Sequence, residues 1–292
     1  MKLTRLDLAL KIINTVLLTF IVIITLYPFW DVLVKSFMSD GDIARTTFAL
    51  FPTNIQLSGY VSVFTNPTYS LVRPFLNTLF YTITDTVYQL SITAVTAYVL
   101  TRDRLPGRKF MMAFCVFTMY FGGGLIPYML VIRDLGLFDS PFVMVLPQFI
   151  SIYNMLVMRA FFKRLPKELE EAARIDGAGN FRIFISISVP LSMPVIATIA
   201  LFIAVGRWNE WFSALLYLQG SPEWMPLAYS LQRIIELSSG RNAEVGGVGT
   251  QTPIGKSVQY AAIIVSIVPI LLVYPFFQKY FASGVMIGSL KE

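Results

Sequence analysis

The chain has 292 residues, of which 55% are hydrophobic and only 14% are charged, and its formal net charge is +6. A soluble domain carries charge on about a quarter of its residues, so this composition argues against a soluble protein. The chain has one cysteine and no histidine. Composition therefore excludes an internal disulfide, and it excludes metal sites or acid–base catalysis built on histidine.

Six segments are long and apolar enough to be candidate membrane spans, because a spanning helix needs about 20 mostly apolar residues. Five of them contain long stretches without Asp, Glu, Lys or Arg, and the sixth is interrupted only by Asp85. The sequence therefore predicts an all-α integral membrane protein with six transmembrane helices, in a single domain over 1–292. The predicted spans are 12–30, 74–100, 110–132, 140–160, 183–217 and 257–280.

The distribution of basic residues predicts the orientation of these spans. With a cytoplasmic N-terminus, fifteen of the 23 lysine and arginine residues fall on the inner side. Positive charge prefers the cytoplasmic side of a membrane, so both termini are predicted to be cytoplasmic. This bias accounts for most of the net charge, and we expect contact with membrane lipid but no nucleic-acid partner.

The second span has one polar face. Six side chains recur there at helical spacing and share that face. Because an acid in the bilayer is costly, the face should point to the bundle interior or to water. A wall of a transport pathway and a structural polar seam fit the pattern equally well. The six residues are Thr78, Thr82, Asp85, Gln89, Thr93 and Thr96.

A charged segment between the fourth and fifth spans predicts a short cytoplasmic helix. Pro166 suits its first position, acidic residues follow, and Gly177 and Gly179 offer a left-handed stop. Ala172 and Ala173 place small side chains on one side of this helix, so another surface can approach it closely. The segment is either an ordinary solvated helix or a docking element for a cytoplasmic partner.

The stretch GTQTPIGKS at 249–257 is similar to a phosphate-binding loop but differs in spacing. Five residues separate Gly249 from Gly255, whereas a P-loop has four between its glycines. We therefore expect no ATP site in this chain and no enzymatic activity of its own.

Several motifs resemble one family. The pattern from Glu171-Ala172-Ala173 through Gly177 and Ile187 to Val189-Pro190 resembles the EAA loop, at 166–190, of bacterial ABC importer permeases. Val189 stands where the usual pattern has leucine. Further similarity to the carbohydrate-uptake permeases related to the maltose permease lies in Asn77-Thr78, Gly123-Gly124-Leu125-Ile126-Pro127 and Trp208-Asn209-Glu210. The GGLIP stretch is most similar to the oligo- and polysaccharide branch, which includes alginate-type importers.

This resemblance implies a permease subunit in the bacterial cytoplasmic (inner) membrane that translocates oligo- or polysaccharide. Acidic saccharides such as alginate or other uronate oligomers fall within that branch. The implied partners are a second homologous permease, two ABC ATPase subunits that bind ATP and Mg, and an extracellular or periplasmic solute-binding protein. By the same resemblance, the contact with the ATPase comprises Glu171, Ala172, Ala173, Asp176, Gly177 and Ala178.

Candidate cargo contacts follow from sugar chemistry, since aromatic faces, amides and carboxylates commonly hold saccharides. Arg207 is the candidate for binding a cargo carboxylate. Anchoring at the membrane interface is the alternative for the tryptophans. The predicted pathway residues are Asp85, Gln89, Arg207, Asn209, Glu210, Trp211 and Tyr217.

The last nine residues, 284–292, resemble a tail that reaches between the ATPase subunits of maltose-type importers. This assigns a contact to Gly284, Gly288 and Ser289, with simple disorder as the alternative. An ion-coupled secondary transporter is the alternative function, and it would need buried ionisable groups in several helices. A membrane enzyme is a third class, but no nucleophile–base pair or metal cluster in the sequence supports it.

Overall fold

The computed structural model describes residues 5–239 and 254–284, and all regular structure in these ranges is helical. The predicted all-α class is therefore confirmed. Gly288, Ser289 and residues 249–253 of the P-loop-like stretch lie outside the described residues, and Gly284 is the last described residue. In chain order the α-helices are α1 (Arg5–Lys35), α2 (Asp40–Arg45), α3 (Ser58–Thr65), α4 (Val72–Val99), α5 (Arg108–Tyr120), α6 (Leu125–Asp134), α7 (Ile152–Phe162), α8 (Lys167–Ile175), α9 (Asn180–Ile183), α10 (Val189–Leu191), α11 (Met193–Trp208), α12 (Phe212–Tyr217), α13 (Leu227–Ser238) and α14 (Lys256–Gly284).

Among the described residues, two helices, α1 and α14, are unbroken and apolar enough to cross a membrane. Three predicted spans are each divided into two helical pieces, with bends of 113°, 46° and 83°. Counting each bent pair as one span gives up to five spans among the described residues. The breaks fall between α5 and α6, between a 3-10 segment ending at Gln148 and α7, and between α10 and α11.

Helix α4 accounts for the predicted span at 74–100 but is not among those five. It is a continuous helix of 28 residues, and polar side chains on its buried face lower its apolar character. The predicted span at 183–217 also ends early, since α11 stops at Trp208 and the next residues form the separate short helix α12.

The described residues divide into two compact units, one within Met1–Val72 and Ser230–Val268, the other within Arg73–Tyr229 and Pro269–Glu292. The single domain over 1–292 stays a prediction. In the first unit, Gly59 packs directly on the backbone of α14. A β-carbon at Gly59 would lie 2.6 Å from the carbonyl oxygen of Ser257. Glycine is therefore required for this close approach between helices.

The second unit contains two apolar clusters that position the candidate sites. One surrounds Tyr98, Phe162 and Phe184 and includes residues of α4, α7 and α11. The other surrounds Tyr81 and Tyr217. Because α4 contributes to both clusters, this one helix is packed at two places along its length.

Candidate functional site

Helix α8 and the turn after it form the predicted coupling element. The helix spans nine residues, Lys167–Ile175, and Pro166 lies one position before it as the N-cap. The turn after the helix contains a left-handed residue, Gly177, whose φ is +81°, as the sequence predicts. Gly179 has an ordinary φ of −72°. Gly177 alone of these two glycines therefore needs the conformational freedom of glycine.

Helix α8 exposes apolar side chains. None of its residues is buried, Leu169 is 44% exposed and Ile175 is 87% exposed. Phe181, just beyond the turn, is 76% exposed. Exposed large apolar side chains in a mostly polar segment point to an interaction site. Sequence reasoning missed Ile175 and Phe181, although both are large apolar residues flanking a turn of small and polar ones.

The carboxylate of Glu170 is paired with another residue of this chain and is not a free charge on the surface of α8. Both terminal nitrogens of the Arg102 guanidinium, Nη1 and Nη2, donate to the carboxylate of Glu170, and the Nη2–Oε1 distance is 2.8 Å. The guanidinium of Arg102 lies 4.0 Å from the ring centre of Tyr98. Hydrogen bonding from Arg102 lowers the pKa of Glu170, while burial acts in the opposite direction. The pair therefore joins two charged groups at neutral pH.

A second ion pair lies in the interior of the same unit. Nε of Arg207 donates to Oδ2 of Asp85 at 2.9 Å, and Nη2 donates to Oε1 of Gln148 at 3.2 Å. Gln89 in turn donates to the main-chain oxygen of Gln148. Three predicted pathway residues are thus brought together as a buried network. In this structure Arg207 pairs with Asp85 instead of presenting its guanidinium to a cargo carboxylate.

Several polar side chains in the first half of α4 form internal hydrogen bonds. Thr78 accepts from the backbone N–H of Leu227 at 2.7 Å, and the hydroxyl of Tyr81 donates to the oxygen of Trp224 at 2.8 Å. Asn77 donates to two carbonyl oxygens in the same segment. Thr78, Asp85 and Gln89 of the predicted face bind other parts of the chain, whereas the buried hydroxyls of Thr82 and Thr93 have no hydrogen-bond partner among the described residues. A structural seam therefore accounts for only part of this face.

The other predicted pathway residues differ in exposure. Asn209 is exposed, and Trp211 is 39% exposed with its ring edge against Phe212. Glu210 accepts the N–H of Ser213 at 2.8 Å, so it helps to begin α12. Tyr217 is buried and packs between Tyr128 and Phe138. Asn209 and Trp211 are therefore the accessible members of the predicted set.

Comparison with known proteins identifies the family to which the chain belongs. It matches the family described as binding-protein-dependent transport system inner membrane component over residues 5–287. It is 40% identical over 268 residues to protein LplC of Bacillus subtilis (strain 168), covering 92% of this chain and 90% of that protein. It is 39% identical over 270 residues to the polygalacturonan/rhamnogalacturonan transport system permease protein YtcP of the same strain, covering 92% and 93%.

A solved structure has the same fold. The crystal structure of a bacterial ABC transporter involved in the import of the acidic polysaccharide alginate contains a chain that superposes with a TM-score of 0.85. The two chains are 33% identical, and the match covers 96% of this chain and 99% of that one. The suspected kinship with importer permeases is confirmed: the chain belongs to the family of inner membrane components of binding-protein-dependent transport systems.

Proposed function

We propose that this chain is a permease subunit of an ABC importer and that its cargo is an acidic oligo- or polysaccharide. The support for the cargo comes from the relatives. One is named for polygalacturonan and rhamnogalacturonan transport, and another belongs to an importer of alginate. Polygalacturonan and alginate share sugar units that carry carboxylates, and this is the substrate class that we assign.

The observation that carries the coupling role is the exposed apolar surface of α8 and the turn after it. Ile175 and Phe181 are largely exposed on either side of Gly177, and a cytoplasmic partner would bury them. We infer that the partner is an ATPase subunit, which binds ATP and Mg, and that two such subunits work with two permeases and a solute-binding protein. Both termini are cytoplasmic in this arrangement.

The test is uptake by vesicles that contain the permease pair and the ATPase subunits, with the binding protein added outside. We expect uptake of oligogalacturonate to require both ATP and the binding protein and to be independent of proton or sodium gradients. A matched cargo is the same oligomer with its carboxyls chemically reduced to alcohols. Equal uptake of the reduced oligomer would contradict the acidic class, and gradient-driven uptake without ATP would contradict the importer.

The ion-coupled alternative has less support from the geometry. It rests on Asp85, the acid within the predicted second span, because an ion-coupled carrier needs an intramembrane group that binds and releases an ion. In the structure Arg207 already balances the charge of Asp85. The same vesicle assay separates the two functions, since only a secondary transporter would respond to the gradient.

A further inference from the structure

Two side chains at the end of α4 hold the segment that contains the coupling element. Tyr98 lies in the last turn of α4, and the chain continues from it in a turn, with the N–H of Arg102 bonded to the oxygen of Val99 at 3.1 Å. Arg102 binds the carboxylate of Glu170 on α8 through two N–H groups. The hydroxyl of Tyr98 donates to the main-chain oxygen of Asn180 at 3.2 Å.

These two attachments lie on opposite sides of the left-handed turn at Gly177. Glu170 precedes the turn and Asn180 follows it, so the end of α4 holds the segment at both sides. Tyr98 is itself fixed, because it is 5% exposed and its ring centre lies 4.9 Å from that of Phe184. Arg102 stacks on this fixed ring, which limits the orientations of its guanidinium.

The attachment of α8 to the rest of the unit is ionic rather than apolar. No residue of α8 is buried, so hydrophobic packing does not fix the helix on its neighbours. The side chains of Arg102 and Glu170 are only 24% and 18% exposed. A two-point arginine–carboxylate contact fixes orientation as well as distance. A movement of α8 therefore acts directly on Arg102.

At its other contact, α4 reaches the predicted cargo residues. Asp85 lies in the same unbroken helix and binds Arg207, the second-last residue of α11. Asn209 and Trp211 lie two and four positions after Arg207 in the chain. The 14 positions from Asp85 to Val99, the last residue of α4, correspond to about 21 Å along a helix that rises 1.5 Å per residue, and Arg102 lies in the turn that follows. One unbroken helix and the short turn after it thus separate the two ion pairs.

We propose that the ion pair of Arg102 and Glu170, which we call the strut, transmits a movement of α8 to α4. The Asp85–Arg207 pair then transmits the movement of α4 to the segment from Asn209 to Trp211. Arg102 and Glu170 are positioning residues, since they act through other groups and touch neither cargo nor nucleotide. The inference rests on the proposed function, because it requires an ATPase subunit to dock on α8.

The experiment removes the strut without changing the docking surface. Glu170→Gln and Arg102→Gln each remove one charge, and the double variant Arg102→Glu/Glu170→Arg reverses the pair. The matched control is Asp103→Asn, which breaks the exposed Arg108–Asp103 pair in the same turn. For each purified and reconstituted complex, we would measure retained ATPase subunit, hydrolysis stimulated by the binding protein, and saccharide uptake.

We expect both single variants to retain the ATPase subunit and its hydrolysis but to lose about fivefold in uptake per ATP hydrolysed, the low end of coupling between distant sites. The reversed pair should recover part of the loss, and Asp103→Asn should match the parent. Parental uptake per ATP in both single variants would overturn the strut. So would loss of the ATPase subunit, since it would mean that the pair only maintains the shape of α8. Absence of ATP-dependent uptake in the parent complex would instead overturn the proposed function.

Discussion

Arg207 and Asp85 form an ion pair in the interior of the protein, with Nε and Oδ2 separated by 2.9 Å and both side chains 3% exposed. They are 122 positions apart in the sequence. Desolvating two charges is costly, and their mutual attraction offsets that cost only while both are present. The pair therefore makes each residue dependent on the other.

Removing one member of this pair should destabilise the protein strongly. Asp85→Leu or Arg207→Leu leaves an uncompensated buried charge, for which a loss of about 3–5 kcal/mol is typical. The double variant Asp85→Leu/Arg207→Leu should lose less stability than either single variant. Thermal unfolding of the detergent-purified protein measures this. The control is Asp134→Leu, which removes a largely exposed partner of Arg133; equal losses in control and single variants would contradict the prediction.

Gly177 should tolerate substitution less well than Gly179. Neither β-carbon would meet an atom within 4 Å, so the difference between the two sites lies in the backbone. At φ +81° a non-glycine residue costs about 1–2 kcal/mol. We expect Gly177→Asp to release the ATPase subunit or separate hydrolysis from uptake, while Gly179→Asp and Glu171→Ala are milder. Parental behaviour of Gly177→Asp in co-purification, hydrolysis and uptake would refute the coupling role of this turn.

The exposed apolar residues beside Gly177 should matter for docking and not for folding. Ile175 and Phe181 are too exposed for their loss to affect the core. Burial of such a side chain in a partner is worth about 1.5–3 kcal/mol. Ile175→Ser and Phe181→Ser should therefore weaken ATPase binding by tenfold or more, on the order expected from that energy. Ile175→Leu is the conservative control, and titration of the ATPase subunit onto the solubilised permease provides the measurement.

Asn209 and Trp211 should contribute to cargo passage, because they are the accessible members of the predicted pathway set. Asn209→Ala and Trp211→Ala should lower uptake while assembly and basal hydrolysis stay near the parent level. Tyr153→Ala is the control, since Tyr153 is an aromatic residue that is 62% exposed and lies outside that set. Unchanged uptake in both pathway variants would remove these residues from the list of cargo contacts.

The orientation predicted from the basic residues can be tested with single cysteines. Cys115 is first replaced, and cysteine is then placed at Ser239 or at Ser289. With both termini cytoplasmic, an impermeant thiol reagent added outside should label the cysteine at Ser239 and leave the one at Ser289 unlabelled. Labelling after permeabilisation is the control for reactivity. The reverse pattern would mean that the orientation is inverted.

The sequence alone determined the class of this protein and the left-handed stop after its short helix α8. Gaps between charged residues are local features, and they predicted an all-α membrane protein. Spacing along one helix also predicted that Thr78, Asp85 and Gln89 share an inward face, since a helical repeat fixes which residues lie together. The stop at Gly177 depends on the backbone preference of a single residue.

The tertiary structure decided which polar groups meet. Local periodicity predicts a face but not its partner, so the contacts of Asp85 with Arg207 and of Glu170 with Arg102 became visible only once the helices were packed. The bend of 113° between α5 and α6 falls at three glycines, 122–124, and Gly124 has a φ of +84°, so a local signal for this break was present in the sequence but the search for uncharged stretches did not use it. An uncharged stretch satisfies the same length and polarity requirements whether it is straight or broken. The packing of helices across long sequence separations therefore gave Arg207 a buried partner and left Trp211 accessible.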